Sequence, residues 1–293
     1  IGTSSNSSGI IGGATNLYLD EWTNLPEGSK LSLNYDGRGI DIKLSLKLDD
    51  FDNHNNINGL LIFFVNNRIV PTSLNGGKMQ EIHYLDRFGT NELHTFDVFL
   101  HPEFLNGGEI AYLSGIALFG YDLWPNSIAY ATPNIMEFPV RPIHIADHVT
   151  PSQSPESASN AFEEVTCNNL TSITAKMSEP GSFEFSEITE EGLHLIVNCN
   201  QEDYSGEYTA LILLDGKIIP AFDNKRYLDW GASKGINQKI STQISTNCIP
   251  SDGKHILIGL ILQRADSESL QPISMVECQA CYLDFTGETE TSE

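Results

Sequence analysis

Two stretches of the sequence match each other and decide the fold: LIFFVNNRIVP at residues 61–71 and ALILLDGKIIP at residues 210–220. Each is an apolar run followed by a two-residue turn, a basic residue, two branched aliphatic residues and a proline. The turn pairs are Asn66-Asn67 and Asp215-Gly216, and residues of these types tolerate positive φ. Each stretch therefore predicts a β-hairpin.

Further blocks recur in the same order after each hairpin. A Tyr-Leu-Asp block starts at Tyr84 and again at Tyr227, and each copy then has a polar turn and a strand with an internal glycine, Gly115 or Gly259. The offset between copies changes only from 149 to 143 to 144 residues. Such a period is too long for a solenoid or propeller repeat and matches the size of one β-sandwich domain.

The flanking strands support an all-β fold. Residues 40–48, IDIKLSLKL, alternate apolar and polar side chains, which predicts a strand with one face in water. Their counterpart at 193–199, LHLIVNC, is more apolar and predicts a strand buried on both faces. No segment shows a helical period. We therefore expect two tandem, mutually similar antiparallel β-sandwich domains, an architecture that resembles immunoglobulin-like modules.

The composition of the chain places the domain boundaries. A Ser- and Pro-rich stretch between the copies is typical of an extended linker. The expected organisation is a polar tether at 1–13, domain 1 at 14–146, a linker at 147–162, domain 2 at 163–286 and a polar tail at 287–293. The chain starts at Ile1 without a methionine, so we expect a mature product anchored or secreted through a removed segment.

The charge balance of the chain restricts the classes of partner that it can bind. The chain has 39 acidic and 16 basic residues, a net charge of −23, which opposes binding to nucleic acid and to anionic membranes. The acidic residues are scattered, which favours a role in solubility over a cation site. No apolar run reaches the roughly 20 residues that cross a bilayer, so we expect no membrane insertion of this segment.

The five cysteines are confined to the second copy: Cys167, Cys199, Cys248, Cys278 and Cys281. The first copy folds without any, so the shared fold needs no disulfide. Cys278 and Cys281 form a CxxC pair, but residues three apart in a strand face opposite ways. Idle thiols are favoured, with disulfides, a redox pair or half of a zinc site as alternatives.

One loop has the composition of a cation site. Residues 49–56, DDFDNHNN, place Asp50 and Asp52 at alternate positions, where carboxylates could bind calcium. A calcium loop would want Asp or Asn in place of His54 and Gly in place of Asn55. A plain loop is therefore the alternative, and calcium is the one cofactor that we keep open.

Aromatic side chains are the candidate binding residues. A flat ring on the surface can stack on a sugar, and the candidates are Trp22, Trp124, Tyr121 and Trp230, with Tyr130 and Tyr227 as further possibilities. The alternative is that each anchors a core or a loop.

The functional expectation combines these observations. No nucleophile elbow, P-loop, zinc-protease motif or dinucleotide fingerprint occurs, so we expect no enzyme. The leading hypothesis is a secreted or cell-surface adhesion, spacer or ligand-binding module whose partner is an extracellular protein or glycan. The alternatives are a carbohydrate-binding accessory module and a hydrolase with an unidentified carboxylate pair.

Overall fold

The structure is a computed structural model of the chain, and it describes most of both repeats. The described residues are 15–18, 33–48, 56–120, 134–137, 141–152, 157–158, 163–164, 182–189, 192–199, 206–222, 224–232, 238–250, 253–263 and 275–284. We use N-terminal half for the described residues up to 152 and C-terminal half for those from 157 onward.

Within these residues the N-terminal half contains only strands as regular structure. They are β1 Thr15–Tyr18, β2 Leu33–Tyr35, β3 Ile40–Leu48, β4 Asn56–Val65, β5 Arg68–Ile69, β6 Thr72–Leu74, β7 Ile82–Gly89, β8 Leu93–Leu100, β9 Ile110–Phe119, β10 Asn134–Glu137 and β11 Arg141–Ile145.

The described part of the C-terminal half adds ten strands and one turn of 3-10 helix. They are β12 Ser157–Ala158, β13 Glu163–Glu164, β14 Ser182–Thr189, β15 Gly192–Cys199, β16 Gly206–Leu214, β17 Lys217–Ile219, β18 Tyr227–Ala232, β19 Gln238–Ser245, the 3-10 turn Thr246–Cys248, β20 Lys254–Gln263 and β21 Met275–Asp284. The all-β prediction is confirmed. No helix in the described residues is long and apolar enough to cross a membrane.

The strands form four sheets, two in each half. Sheet A has the order β1-β3-β8-β6, and sheet B has the order β2-β11-β9-β4-β5, with β10 paired to β9 and β7 paired to β4. Sheet C has the order β12-β18-β16-β20-β21, with β17 paired to β16, and sheet D has the order β13-β19-β15-β14. The prediction of purely antiparallel sheets is wrong at two places, because the short segments β2 and β12 lie parallel to β11 and β18.

The two matching stretches form the predicted hairpins. The turn residues Asn66 and Asn67 have φ of 48° and 61°, and Asp215 and Gly216 have φ of 48° and 72°. This left-handed pair matches the right-handed twist of the flanking strands. The hairpins are β4–β5, closed by the pair Val65–Arg68, and β16–β17, closed by the pair Leu214–Lys217.

The same pairings recur around both hairpins. β4 pairs with β5, β7 and β9, and β16 pairs in the same way with β17, β18 and β20. In the other sheet of each half, β3 pairs with β1 and β8, and β15 pairs with β14 and β19. The halves differ at their edges, where β6 occupies the free edge of β8 and β13 occupies that of β19.

Strand β4 is buried on both faces, and this explains its unbroken apolar sequence. Leu61, Phe63 and Val65 point into the core between sheets A and B. The alternate residues belong to a second apolar cluster that sheets B and C share. We refer to it as the shared cluster, and it consists of Leu60, Ile62, Phe64, Ile69, Ile82, Ile116 and Leu118 from sheet B and Leu211, Leu213, Tyr227, Ile258, Leu260 and Leu262 from sheet C.

The shared cluster makes the molecule a stack of four sheets in the order A, B, C, D. The C-terminal half has its own core, to which Ile212 and Leu257 of sheet C and Ile244 of β19 contribute. Sheet A is an outer layer: in β3 the side chains of Asp41 and Lys43 are exposed, as their alternation predicts. The side chains of β15, predicted to be buried on both faces, lie outside the described residues.

Parts of the predicted linker and the cysteines are also placed. Ser157 and Ala158, inside the predicted linker, form β12 beside β18. Cys248 is a half-buried free thiol. Cys278 and Cys281 lie on β21 opposite Leu260 and Leu257, and the register between them is regular.

His83 is a buried titratable group in β7. One of its ring nitrogens lies 2.7 Å from the Thr72 hydroxyl. Burial lowers the pKa of His83 from its usual 6.5, and the opposing effect of the Thr72 hydrogen bond is smaller. The native state therefore holds this imidazole neutral where the unfolded chain would protonate it.

We expect Leu213→Ala to lower the free energy of unfolding by about 3 kcal/mol, because it removes buried methyl groups from the shared cluster. The measurement is urea unfolding followed by tryptophan fluorescence. The matched control is Leu93→Ala on β8, where the side chain is 58% exposed, and it should change stability by under about 0.5 kcal/mol. Equal effects of the two substitutions would show that sheets B and C are not packed together.

We expect His83→Gln to make the protein less sensitive to acid. A lowered native pKa means that the unfolded state binds more protons below pH 6.5, so His83 reduces stability as the pH falls through 6.5. Glutamine keeps a hydrogen-bonding group for Thr72 and does not titrate. The urea midpoint of each protein is measured at pH 8 and at pH 5. Between these two pH values the variant should lose less stability than the wild type. Parallel pH curves would contradict this role.

Candidate binding cleft between sheets B and C

Polar side chains close the rim of the shared cluster, and Arg68 is the central one. The β4–β5 turn places Arg68 at the start of β5, facing the C-terminal half. Its guanidinium donates to both carboxylate oxygens of Asp229, from Nη1 to Oδ1 at 3.0 Å and from Nη2 to Oδ2. It also lies 4.6 Å from the ring centre of Tyr227. Only 12% of the Arg68 side chain and 33% of the Asp229 side chain are exposed, so the ion pair is partly desolvated.

Thr209 completes this contact. It lies opposite Asp229 in the β16–β18 register, and its hydroxyl donates to Asp229 Oδ1 at 2.7 Å. Arg68 Nη1 lies 3.3 Å from the same hydroxyl oxygen. The Asp229 carboxylate is thus oriented by two donors, one from each half, and the planar fork of arginine suits this two-point contact.

Two tyrosines from equivalent strands reach across to the opposite hairpin. Tyr227 of β18 accepts a hydrogen bond from the Ile69 backbone N–H at 3.1 Å, and Tyr84 of β7 donates one to the Asp215 carbonyl at 2.7 Å. Burial raises the pKa of both phenols, and the Asp215 carboxylate adds to the effect on Tyr84. A Cβ atom on Gly216 would lie 2.6 Å from the Tyr84 hydroxyl, so the close approach requires glycine.

The turn residues beneath these tyrosines are anchored alike. Asn66 Oδ1 accepts from the Tyr112 N–H at 3.0 Å, and Asp215 Oδ1 accepts from the Ile256 N–H at 2.9 Å. The turn N–H groups of Asn66 and Asp215 return bonds to the same two residues' carbonyls. The strands that carry these turns, β4 and β9 in sheet B and β16 and β20 in sheet C, are equivalent in the repeat, and they face each other through the shared cluster.

The equivalence of the two halves is broken at the polar rim. Lys217 stands where the first half has Arg68. Tyr84, which pairs with Leu60, stands where the second half has Asp229, which pairs with Thr209. Asn67 stands where the second half has Gly216, and its amide donates to the Leu262 carbonyl at 3.3 Å.

A further ion pair crosses between the halves and joins the residues directly before β7 and β18. Arg226 Nη2 donates to Glu81 Oε2 at 2.6 Å. Together with the Arg68–Asp229 contact, this ion pair adds a polar component to the docking of sheet B on sheet C.

A cleft of about 280 Å³ opens beside the Arg68–Asp229 pair. One wall is the β4–β5 hairpin and the other is formed by the ends of β16 and β18. Its lining consists of Asn66, Arg68, Glu207, Tyr208, Thr209, Asp229, Trp230 and Gly231. Glu207 is exposed, whereas Tyr208 and Trp230 are buried and stack with ring centres 5.6 Å apart.

The chemistry of the lining is that of a polar binding surface. It offers carboxylate and hydroxyl acceptors, and the buried Nε of Arg68 has no hydrogen-bond partner among the described residues. The described lining contains no histidine or cysteine. Such a cleft can hold a small polar group through hydrogen bonds, with the indole edge as its apolar wall.

The structure describes few of the predicted binding residues. Trp230 lies in the wall of the cleft but is only 5% exposed, and Tyr227 is buried in the shared cluster. Within the described residues, no group of three or more His, Cys, Asp or Glu side chains could hold a metal ion. Six predicted candidates lie outside the described residues: Trp22, Trp124, Tyr121, Tyr130, Asp50 and Asp52.

Sequence reasoning missed the residues that join the halves. Arg68 and Asp229 both lie inside the matched blocks, the first directly after a hairpin turn and the second at the end of Tyr-Leu-Asp. What marked these two residues in the sequence was their charge next to strands that are otherwise apolar. The repeat pointed to their positions, but the sequence did not show that the two copies contact each other and that the two charges pair.

Comparisons with known proteins add little to this description. No known protein family and no curated protein sequence matches the chain. Among solved structures, it is similar to CBD12 from CALX1.2 with 9% identity and a TM-score of 0.20, covering 86% of this chain and 82% of that one. It is also similar to the calcium binding domain CBD12 of CALX1.1 with 7% identity and a TM-score of 0.21, covering 86% and 83%.

We expect Arg68→Lys and Asp229→Asn each to destabilise the protein by about 1 kcal/mol, and the double variant by less than the sum. The coupling is reduced from that of a fully buried pair because Asp229 is one-third exposed. Urea unfolding of the four proteins measures it. The control is Arg38→Ala, which breaks the solvent-exposed pair with Asp36 and should leave stability unchanged. Strict additivity of the Arg68 and Asp229 substitutions would contradict a working ion pair.

Proposed function

We propose that the chain is a non-enzymatic pair of immunoglobulin-like β-sandwich domains that acts outside the cell as an adhesion, spacer or ligand-binding unit. In this proposal domain 1 is residues 14–146 and domain 2 is residues 163–286. The equivalent hairpins and the matching pairings around β4 and β16 support the assignment of two similar domains.

The observation that carries the proposal is the docking of sheet B on sheet C. A spacer or presenting module must hold its outer surfaces in a fixed relation, and interdomain contacts with a large apolar core restrict domain motion. Here the shared cluster fills the contact, and the Arg68–Asp229 and Arg226–Glu81 pairs fix its orientation. Sheets A and D then face outward at opposite sides of the stack.

The partner in this proposal is an extracellular protein or a glycan. The net charge of −23 favours partners with basic or neutral surfaces and opposes nucleic acid. Binding through the predicted aromatic residues and calcium binding at Asp50 and Asp52 remain predictions.

A carbohydrate-binding module is the second candidate, and the cleft favours it. Sugars are bound through hydrogen bonds to carboxylates and arginines beside an aromatic wall. Glu207, Asp229 and Arg68 provide the hydrogen-bonding groups, and Trp230, which is 5% exposed, contributes only a small part of the wall. The hydrolase alternative would use Glu207 and Asp229 as its carboxylate pair, but Asp229 is already held by Arg68 and Thr209.

The test presents the purified full chain to a glycan array and to surfaces coated with collagen, fibronectin or mucin. The cleft variant is Glu207→Gln. The matched control is Glu92→Gln, which changes an exposed carboxylate on the β7–β8 turn that does not line the cleft. The leading proposal expects binding to a coated protein surface that neither variant changes. The carbohydrate alternative expects array binding that weakens about tenfold in Glu207→Gln only, the effect of losing about 1.4 kcal/mol.

Two results would contradict the leading proposal. One is antibody labelling of the producing cells only after permeabilisation, which would place the protein inside the cell. The other is turnover of chromogenic glycosides that is lost in Glu207→Gln and retained in Glu92→Gln, which would favour the hydrolase.

A further inference from the structure

The contact between the halves is made by equivalent strands of the repeat. Tyr84 and Tyr227 each reach the opposite hairpin, and the equivalent strands β4 and β16 both supply alternate residues to the shared cluster. Neither face depends on the linker to make these contacts. Sheet B of one copy is therefore complementary to sheet C of any copy, including its own.

The covalent connection between the docked halves is short. The Ser152 N–H and hydroxyl bond to Glu103, at 2.8 Å to the carbonyl and 2.8 Å to Oε2, which ties the end of the N-terminal half. Ser157 then pairs with Tyr227 of sheet C. Only residues 153–156 lie between these two anchors, and such a segment spans at most about 17 Å. A connection this short holds the two halves of one chain close together, and strain in such a hinge would favour exchange between copies.

We propose that two copies of this chain form a reciprocal dimer in which sheet B of each copy packs on sheet C of the other. This interaction goes beyond the proposed function, since it concerns self-association and not an external ligand. The dimer contains two shared clusters and two Arg68–Asp229 contacts, the same number per chain as the monomer. It is closed, so it leaves neither inner face uncovered.

The balance between monomer and dimer follows from effective concentration. A short tether presents the partner face at roughly millimolar effective concentration, so the monomer dominates at micromolar protein. The dimer should form about 1% of the protein refolded at about 5 µM and roughly a third of that refolded at about 500 µM. Since exchange requires the shared cluster to open, a dimer formed on refolding should persist after dilution.

Complementary charge reversal tests the proposal. Arg68→Asp and Asp229→Arg each create a like-charge pair at the partly buried contact of the monomer. In a reciprocal dimer of one variant with the other, both contacts join opposite charges again. Each variant, the equimolar mixture and the wild type are refolded at about 50 µM, with one component labelled with nitrogen-15. Native mass spectrometry then counts mixed dimers.

We expect mixed dimers to form most of the protein in the mixture, against roughly a tenth of the protein as dimer in either variant alone or in the wild type. The matched control is a mixture of Arg38→Asp with Asp36→Arg, an exposed pair within one half, which should give no such increase. A charge-reversal mixture that is no more dimeric than its components would overturn the proposal. If a variant fails to fold, labelled and unlabelled wild type are refolded together at about 500 µM. The absence of mixed dimers in that sample would overturn the proposal.

Discussion

The apolar contact between sheets B and C is the constraint on which the rest of the structure depends. It requires β4 and β16 to be apolar on both faces, because each strand serves its own core and the shared cluster at once. It also assigns the polar residues their places. Asp41 and Lys43 of sheet A face water, and Arg68 and Asp229 of the inner sheets pair at the rim of the shared cluster.

The sequence was sufficient for local structure and for the repeat. Turn chemistry predicts both hairpins because Asn66, Asn67, Asp215 and Gly216 can take positive φ, and they do. Period-two alternation predicts the outer strand β3. These features depend on neighbours within a few residues, which a single sequence displays directly.

The stacking of the halves was not predictable in the same way. An unbroken apolar strand indicates burial on both faces, but it does not say what covers the second face. The contact of Arg68 with Asp229 joins residues 161 positions apart, and neither charge is unusual in its local sequence. Trp230 shows a related limit: the sequence left open whether its ring binds a ligand or anchors a core, and its stacking on Tyr208, which buries it, is a tertiary contact.

The repeat also shows how two similar halves can dock in one way only. The anchored turns follow the repeat. The tyrosine contacts do not, because Tyr84 reaches Asp215 and Tyr227 reaches Ile69, and Arg68 against Lys217 and Asn67 against Gly216 do not either. Apolar packing is tolerant of small shifts, but a bidentate guanidinium contact is not. The charged rim therefore fixes the alignment that the apolar cluster alone would leave less exact.

The burial of β4 on both faces has a consequence for the synthesis of the protein on the ribosome. The N-terminal half emerges first, and sheet B keeps an apolar face in water until sheet C has been made. At usual rates of translation the roughly 150 residues in between take about 7–30 s. During that interval an apolar surface that includes Leu60, Ile62 and Phe64 is exposed, and it can aggregate with neighbouring nascent chains on the polysome. The acidity of the chain, which keeps such neighbours apart, then protects the half-made protein as much as the finished one.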